Sequence, residues 1–294
     1  MKIHSYTDIP KLGEQSHLID CDILIKNQCH LNDADYFFFN KIVYIENQDP
    51  KLNEFDQKLS QICELLPKWK DNKSKHIILM RGGSDIKLKA IQGAIVFRHS
   101  CHIDDNDLVY PYFTNDELKT FKYIKSVTNC DYACSFMGCL NTNSIRDQLE
   151  DALSAMSAAT YFESNPQYFE FLPNDIKNEQ QKKYRTLINN SIFVLCPRGY
   201  GLNSLRFFET LSFGRIPVLI SDNAKLPLEK TIDYSKIIIR LPEKEIHLLP
   251  QYIDKFMNEN DMKEASKLAR ATWSRYFRIS EFDTFMQVAL REII

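Results

Sequence analysis

The chain has 294 residues, of which 44% are hydrophobic, 26% charged and 12% aromatic, which excludes the low-hydrophobicity, high-charge class that stays disordered. At roughly 100–200 residues per domain, this length points to two domains. With 37 Lys and Arg against 39 Asp and Glu the formal net charge is −2, so no overall basic field is present to hold nucleic acid or an anionic membrane, and a polyanionic partner must be met by a local cluster of cations.

In chain order, the opening Met1-Lys2-Ile3-His4-Ser5-Tyr6-Thr7-Asp8 lacks an apolar core of signal-peptide length, and runs such as 192–196 are too short to span a bilayer. The expectation is a soluble, cytoplasmic chain. Residues 22–25, 41–45, 76–80 and 94–97 read as buried strands. Between the second and third, Leu52, Phe55, Leu59, Ile62, Leu65 and Leu66 recur at helical spacing until Pro67 closes the helix. Strands separated by helices imply a parallel sheet covered on both faces, an α/β architecture. Tyr36-Phe37-Phe38-Phe39 offers aromatic rings for an acceptor platform, but adjacent residues of a strand point to opposite faces, so a buried strand is favoured.

A polar, Pro-containing stretch near 110–116 leads to a boundary at 115–128, and a second α/β series follows. It comprises a strand at 132–138, a helix at 144–159, a run of short elements, a strand at 191–197 and a helix at 205–213. Strands at 216–221 and 236–240 come next, then a helical tail over 256–294 interrupted around 278–280. The predicted organisation is a Rossmann-like lobe over 1–120, a second over 128–275, and a helix over 276–294 packing back on the first lobe.

Eight cysteines, Cys21, Cys29, Cys63, Cys101, Cys130, Cys134, Cys139 and Cys196, show neither CxxC pairs nor zinc-type His spacing. They read as reduced, mostly buried thiols. Cys29-His30, the group Cys101, His102 and Asp104, and the run Asp104-Asp105-Asn106-Asp107 carry residue types that metals accept. Buried thiols and an exposed turn are the readings preferred, and no metal is expected.

Chemistry concentrates in Cys196-Pro197-Arg198-Gly199-Tyr200-Gly201-Leu202-Asn203-Ser204-Leu205-Arg206-Phe207-Phe208-Glu209. A buried strand passes through a two-glycine turn into a helix with Asn203 or Ser204 as N-cap, a geometry that presents free N–H groups and a partial positive charge to a phosphate. Arg198 and Arg206 add planar donors. Glu209, one turn on, can accept from both hydroxyls of a ribose, the alternative being a pair with Arg206 three residues earlier. Together these residues outline a nucleotide diphosphate site.

Residues 193–199 and 204–222, with Leu226-Pro227-Leu228, Ile232-Asp233-Tyr234, Phe136-Met137-Gly138 and Arg146, strongly resemble the exostosin family of glycosyltransferases (glycosyltransferase family 47). Looser likeness extends to residues 69–78 and 107–111. The resemblance implies a GT-B fold, two Rossmann-like lobes with a cleft, the donor nucleotide-sugar on the C-terminal lobe, and inverting transfer without an obligatory metal. The short, anchorless form is similar to compact bacterial or virus-encoded members, the exostosin-like xylosyltransferases of algal viruses among them. UDP-xylose is therefore the expected donor and a glycan hydroxyl the acceptor, with no cofactor, nucleic acid or membrane span.

On that resemblance Arg146, Arg198, Gly199, Tyr200, Asn203, Ser204, Arg206 and Glu209 bind the nucleotide-sugar, Arg146 having a solvated helix charge as its alternative. The general base is expected at the carboxyl end of a first-lobe strand. Asp85, in Arg81-Gly82-Gly83-Ser84-Asp85, is the first candidate, Asp71 the second and His76 the third. Two other readings stay open. One is a non-catalytic relative that binds donor. The other is an NAD-dependent oxidoreductase in which Asp222, about 20 residues past the glycines, holds the ribose.

Overall fold

The computed structural model describes residues 1–6, 18–20, 28–45, 50–82, 86–114, 123–165 and 172–293. They divide into two units, one made of Met1–Pro111, Asn223–Leu228 and Phe282–Ile294, the other of Tyr112–Asp222 and Glu229–Glu281. The strand expected at 22–25 lies outside the described residues.

The first unit carries β1 (Ile3–Tyr6), β2 (Leu18–Asp20), β3 (Tyr36–Ile45), α1 (Leu52–Leu65), β4 (His76–Gly82), β5 (Ile95–Arg98) and β6 (Leu108–Val109). The sheet order is β1-β3-β4-β5-β6, every pair parallel, with β2 antiparallel on β3. Helix α1 buries Phe55, Leu59, Ile62 and Cys63, a stripe at i, i+4, i+7 and i+8. Its partners across the core include Phe37, Phe39, Val43 and Trp69. Phe38 takes the other face, 5.9 Å from the ring of Phe282 on the C-terminal helix Phe282–Glu292. Phe37, Phe38 and Phe39 are thus core on both faces of a strand, as their alternation requires, and Tyr36 is half-buried.

The second unit carries β7 (Tyr132–Cys139), α2 (Leu149–Ser154), β8 (Thr160–Asn165), α3 (Asn174–Asn189), β9 (Ser191–Pro197), α4 (Leu205–Ser212), β10 (Ile216–Ile220), β11 (Ile239–Arg240), α5 (Leu249–Glu259) and α6 (Met262–Thr272). Its sheet is parallel throughout, ordered β11-β10-β9-β7-β8. All five residues of β10 and all but Ile192 of β9 are buried, the continuous apolar pattern of strands covered on both faces. Helix α4 stops at Gly214, whose φ of +63° is left-handed, and a Cβ there would lie 2.9 Å from the Ser266 carbonyl, so only glycine fits.

Several elements depart from the sequence reading. The stretch 144–159 is not one helix. Asn143 Oδ1 accepts from the Ile145 N–H and opens a 3-10 turn over Ser144–Gln148, and α2 then ends at Ser154. Helix α3 went unread because its buried residues, Tyr184, Leu187, Ile188 and Asn189, crowd into its last turns and leave the rest without an apolar stripe. Strand β11 begins only at Ile239, since Asp233 accepts from the Ser235 N–H and holds Tyr234–Lys236 in a 3-10 turn. The tail breaks first at Asn260–Asp261, where Asp261 Oδ1 accepts from the Lys263 and Glu264 N–H groups and opens α6, and again at a π-turn, Trp273–Phe277, where the buried Trp273 indole donates to Thr114 Oγ1 at 2.7 Å. Among the described residues no helix is long and apolar enough to cross a membrane. The seven described cysteines are free, five of them buried.

Candidate functional site

In the second unit the chain runs from β7 outward to β8, then returns to the other side of β7 for β9, β10 and β11. The strand order therefore reverses between β7 and β9. Connections leave in opposite directions at such a point and open a crevice at the carboxyl ends of the strands, where open α/β sheets bind ligands.

Arg146 is buried at this crevice. Its Nη1 donates to the Cys139 carbonyl at 2.6 Å, its Nη2 to Pro197 at 3.2 Å and its Nε to Arg198 at 2.9 Å. It ties the ends of β7 and β9 together, so it is neither a solvated helix charge nor, through these three groups, a free phosphate donor. Gly199 fits closely beside it, because a Cβ would lie 3.3 Å from Arg146 Nη2 and from Thr142 Oγ1.

Arg198 follows β9 directly. Its backbone N–H donates to the Ile220 carbonyl at 2.9 Å and extends the β9–β10 ladder, while its buried Nε has no acceptor. Tyr200 is 66% exposed in the turn that follows. Asn203 is buried, and Ser204 is the N-cap of α4 in extended conformation without a side-chain capping bond. The first N–H groups of a helix have no intrahelical partner, so the amino end of α4 offers donors to an anion.

Arg206, in the first turn of α4, turns toward β7. Its Nη2 donates to the Met137 carbonyl at 2.7 Å, and its guanidinium carbon lies 4.5 Å from the centre of the Phe136 ring and 5.8 Å from that of Tyr184. Gly138 makes this possible, since a Cβ there would stand 2.4 Å from Nη2. Nε and Nη1 of Arg206 are buried without an acceptor, and each such donor costs about 1–3 kcal/mol. Arg215 also holds two unaccepted N–H groups, but it stands at the amino end of β10, fully enclosed, with Nη2 on the Lys125 and Asn189 carbonyls. The Arg198 and Arg206 donors adjoin the crevice, as does the buried Thr142 hydroxyl, which also has no hydrogen-bond partner.

Glu209 does not take Arg206 as its hydrogen-bond partner. Tyr184 Oη of α3 donates to Glu209 Oε2 at 2.8 Å. Burial pushes the Glu209 carboxyl up, opposed by the Tyr184 hydrogen bond and the Arg206 charge. Burial and the facing Glu209 hold the Tyr184 phenol well above its usual range. At the far side of the crevice, Asp222 Oδ1 accepts from the Glu243 N–H, so the acid of the dinucleotide reading is engaged within the protein.

In the first unit, Asp85 lies outside the described residues, and Asp71 is exposed in the turn after Trp69. His76 is enclosed by the rings of Phe37 at 4.9 Å and Trp69 at 4.7 Å. Its Nδ1 lies 2.9 Å from the Asn72 carbonyl and its Nε2 3.1 Å from Tyr6 Oη. Burial pushes its imidazole down. It is a core histidine and not a base. The carboxylates of Asp105 and Asp107 face Lys87, and Asp107 also faces Arg98. Sequence reasoning missed Tyr184, Glu243 and the purpose of Gly138; of these only Gly138, a glycine inside a strand, left a local signal.

Among known proteins, a family model described as the exostosin GT47 domain matches residues 16–256. The chain is 38% identical over 96 residues to the Exostosin-1 homolog of Caenorhabditis elegans, covering 33% of this chain and 25% of that protein. It is 35% identical over 114 residues to Exostosin-1 of Drosophila melanogaster, covering 38% and 15%. To Probable glucuronosyltransferase 47 A of Physcomitrium patens it is 32% identical over 108 residues, covering 37% and 23%. The matched stretch thus spans a quarter or less of each of these relatives. A solved glycosyltransferase from Rickettsia africae ESF-5 aligns over 82% of this chain and 83% of that one, at 12% identity and a TM-score of 0.39.

Proposed function

Since the chain belongs to the exostosin GT47 family, we propose that it is an inverting glycosyltransferase of GT-B type that moves a sugar, xylose by preference, from a UDP-sugar to a glycan hydroxyl. The observation that carries this reading is the pair of donor nitrogens on Arg206 without acceptors, beside the open amino end of α4 at the strand-order reversal. The fold leaves donors there without acceptors, which supports a diphosphate as their partner.

In this reading Arg198, Arg206, the Ser204 hydroxyl and the first N–H groups of α4 hold the diphosphate, with Gly199 and Asn203 shaping the turn. Glu209 takes the ribose hydroxyls, oriented by Tyr184. Tyr200 offers an exposed ring to the donor, and Arg146 keeps the two strand ends in place. The acceptor oxygen attacks the anomeric carbon, the bond from that carbon to the phosphate oxygen breaks, and UDP leaves. Negative charge on the diphosphate grows along that path, so the arginines stabilise the transition state more than the ground state. No metal is required, because cationic side chains perform that neutralisation. The acceptor proton goes to a carboxylate, for which Asp85 is proposed first and Asp71 second.

The test is UDP release from UDP-xylose, UDP-galactose and UDP-glucuronate in the presence of glycan acceptors, with and without EDTA. Acceptor-dependent release that survives EDTA supports the proposal. Binding of UDP without release or transfer under any condition would favour the non-catalytic reading, and dependence on NAD the oxidoreductase.

A further inference from the structure

At the outer half of the same sheet, the carboxyl ends of β9, β10 and β11 deliver Arg198, Asp222 and Glu243. Two reciprocal bonds join the last two. Asp222 Oδ1 accepts from the Glu243 N–H at 3.0 Å, and Glu243 Oε1 accepts from the Asp222 N–H at 3.1 Å. The Glu243 carboxylate is thereby fixed, 24% exposed, with Oε1 3.8 Å from Arg198 Nη1. That separation is too long for a hydrogen bond, so Arg198 keeps its donors while a negative charge stands beside it.

Direction along the sheet edge gives this carboxylate a meaning. Glu209 and Arg206 turn toward α3 and β7, since their partners are Tyr184 and the Met137 carbonyl. With ribose at Glu209 and diphosphate at Arg198 and α4, the remaining end of a nucleotide-sugar extends toward β10 and β11, where Glu243 stands. We infer that Glu243, braced by Asp222, selects the donor sugar: it accepts hydrogen bonds from hydroxyls of a neutral sugar and repels the carboxylate of a uronic acid. This chain therefore takes a neutral UDP-sugar in preference to UDP-glucuronate. The inference rests on the donor site proposed above.

Calorimetry with UDP, UDP-xylose and UDP-glucuronate on the wild-type chain and on Glu243→Gln tests it, with Glu243→Asp as a second variant should the first fail to fold. Wild type is expected to bind UDP-xylose at least about tenfold more tightly than UDP-glucuronate. Glu243→Gln should narrow that gap to about twofold or less by tightening UDP-glucuronate, and leave UDP itself within about twofold. Glu243→Asp, its charge drawn back, should narrow the gap part way. Tighter binding of UDP-glucuronate by wild type, or one shift common to all three ligands, would overturn the inference and leave the donor site standing. Failure of wild type to bind UDP would remove the donor site and the inference with it.

Discussion

Arg98 in the first unit and Arg206 in the second each carry a guanidinium out of water, and their surroundings treat them oppositely. Arg98 sends Nε to Asp107 at 2.5 Å and Nη2 to the Ile86 carbonyl at 2.6 Å. Arg206 sends Nη2 to Met137, rests on the face of Phe136, and leaves Nε and Nη1 without acceptors. The first arginine is completed by the fold and holds it together. The second is held in place by the fold with two donor nitrogens left incomplete, which is why a ligand is proposed for it. His76 and Glu209 repeat the contrast: His76 faces acceptors and rings on every side, whereas Glu209 has one named partner and stands beside an uncompleted arginine.

This contrast breaks most visibly if the two arginines exchange consequences. Arg98→Ala removes a buried cation and its hydrogen bonds, Asp107 keeping Lys87 at 3.1 Å, and is expected to lower stability by about 1.5–3 kcal/mol in thermal or denaturant unfolding, with UDP affinity unchanged in whatever fraction stays folded. Arg206→Ala should do the reverse, weakening UDP by about 1.5–3 kcal/mol in calorimetry, the scale of a hydrogen bond to a charged group, with the melting temperature held or raised. Loss of UDP binding from the first variant and loss of fold from the second would invert the account.

Smaller changes sharpen it. Gly138→Ala forces Arg206 Nη2 from its seat, and because the displaced group ends a flexible side chain, the fold should survive while UDP weakens about tenfold or less. Added to Arg206→Ala it should have no further effect on UDP; additive losses would mean that Gly138 acts elsewhere. Glu209→Ala is expected to cost about 1–3 kcal/mol of UDP binding, and Tyr184→Phe, which removes only the orienting hydroxyl, about 1 kcal/mol.

The smallest effect is in pH. Burial raises the Glu209 carboxyl above its ordinary value of 4.5, so the protonated form favours the fold. Its contribution to stability is complete below that value and is lost as pH rises through the raised one. Glu209→Gln, neutral throughout, should match wild type in acid and exceed it toward neutral pH. A difference in melting temperature that does not grow with pH would deny the desolvation of Glu209.

The strands β9 and β10 and helix α4 were legible because their residues announce them locally: an unbroken apolar run, a two-glycine turn, then an apolar stripe. The cluster Arg198, Ser204, Arg206 and Glu209 lies within one strand, turn and helix, so it is visible along the chain as one group. What surrounds it could not. Tyr184 reaches Glu209 from 25 residues away and Arg206 lies against Met137 from 69, contacts that only the parallel sheet order creates. The task of Arg146 is undecided in the sequence, because which acceptors a guanidinium meets depends on two strand ends meeting in space. His76 looked like a base because a histidine beside a strand carries no sequence mark of the rings that enclose it.

The central claim is that the carboxyl edge of the second unit holds a nucleoside diphosphate on Arg198 and Arg206. The most direct test is the thermal shift and calorimetric binding of UDP, GDP and NAD to the wild-type chain and to Arg206→Ala, each with and without EDTA. A ligand that binds only the folded state must raise the melting temperature. Selective stabilisation by UDP is expected, unaffected by EDTA and largely lost in Arg206→Ala. Stabilisation by NAD in place of UDP, or UDP binding undiminished in Arg206→Ala, would contradict it.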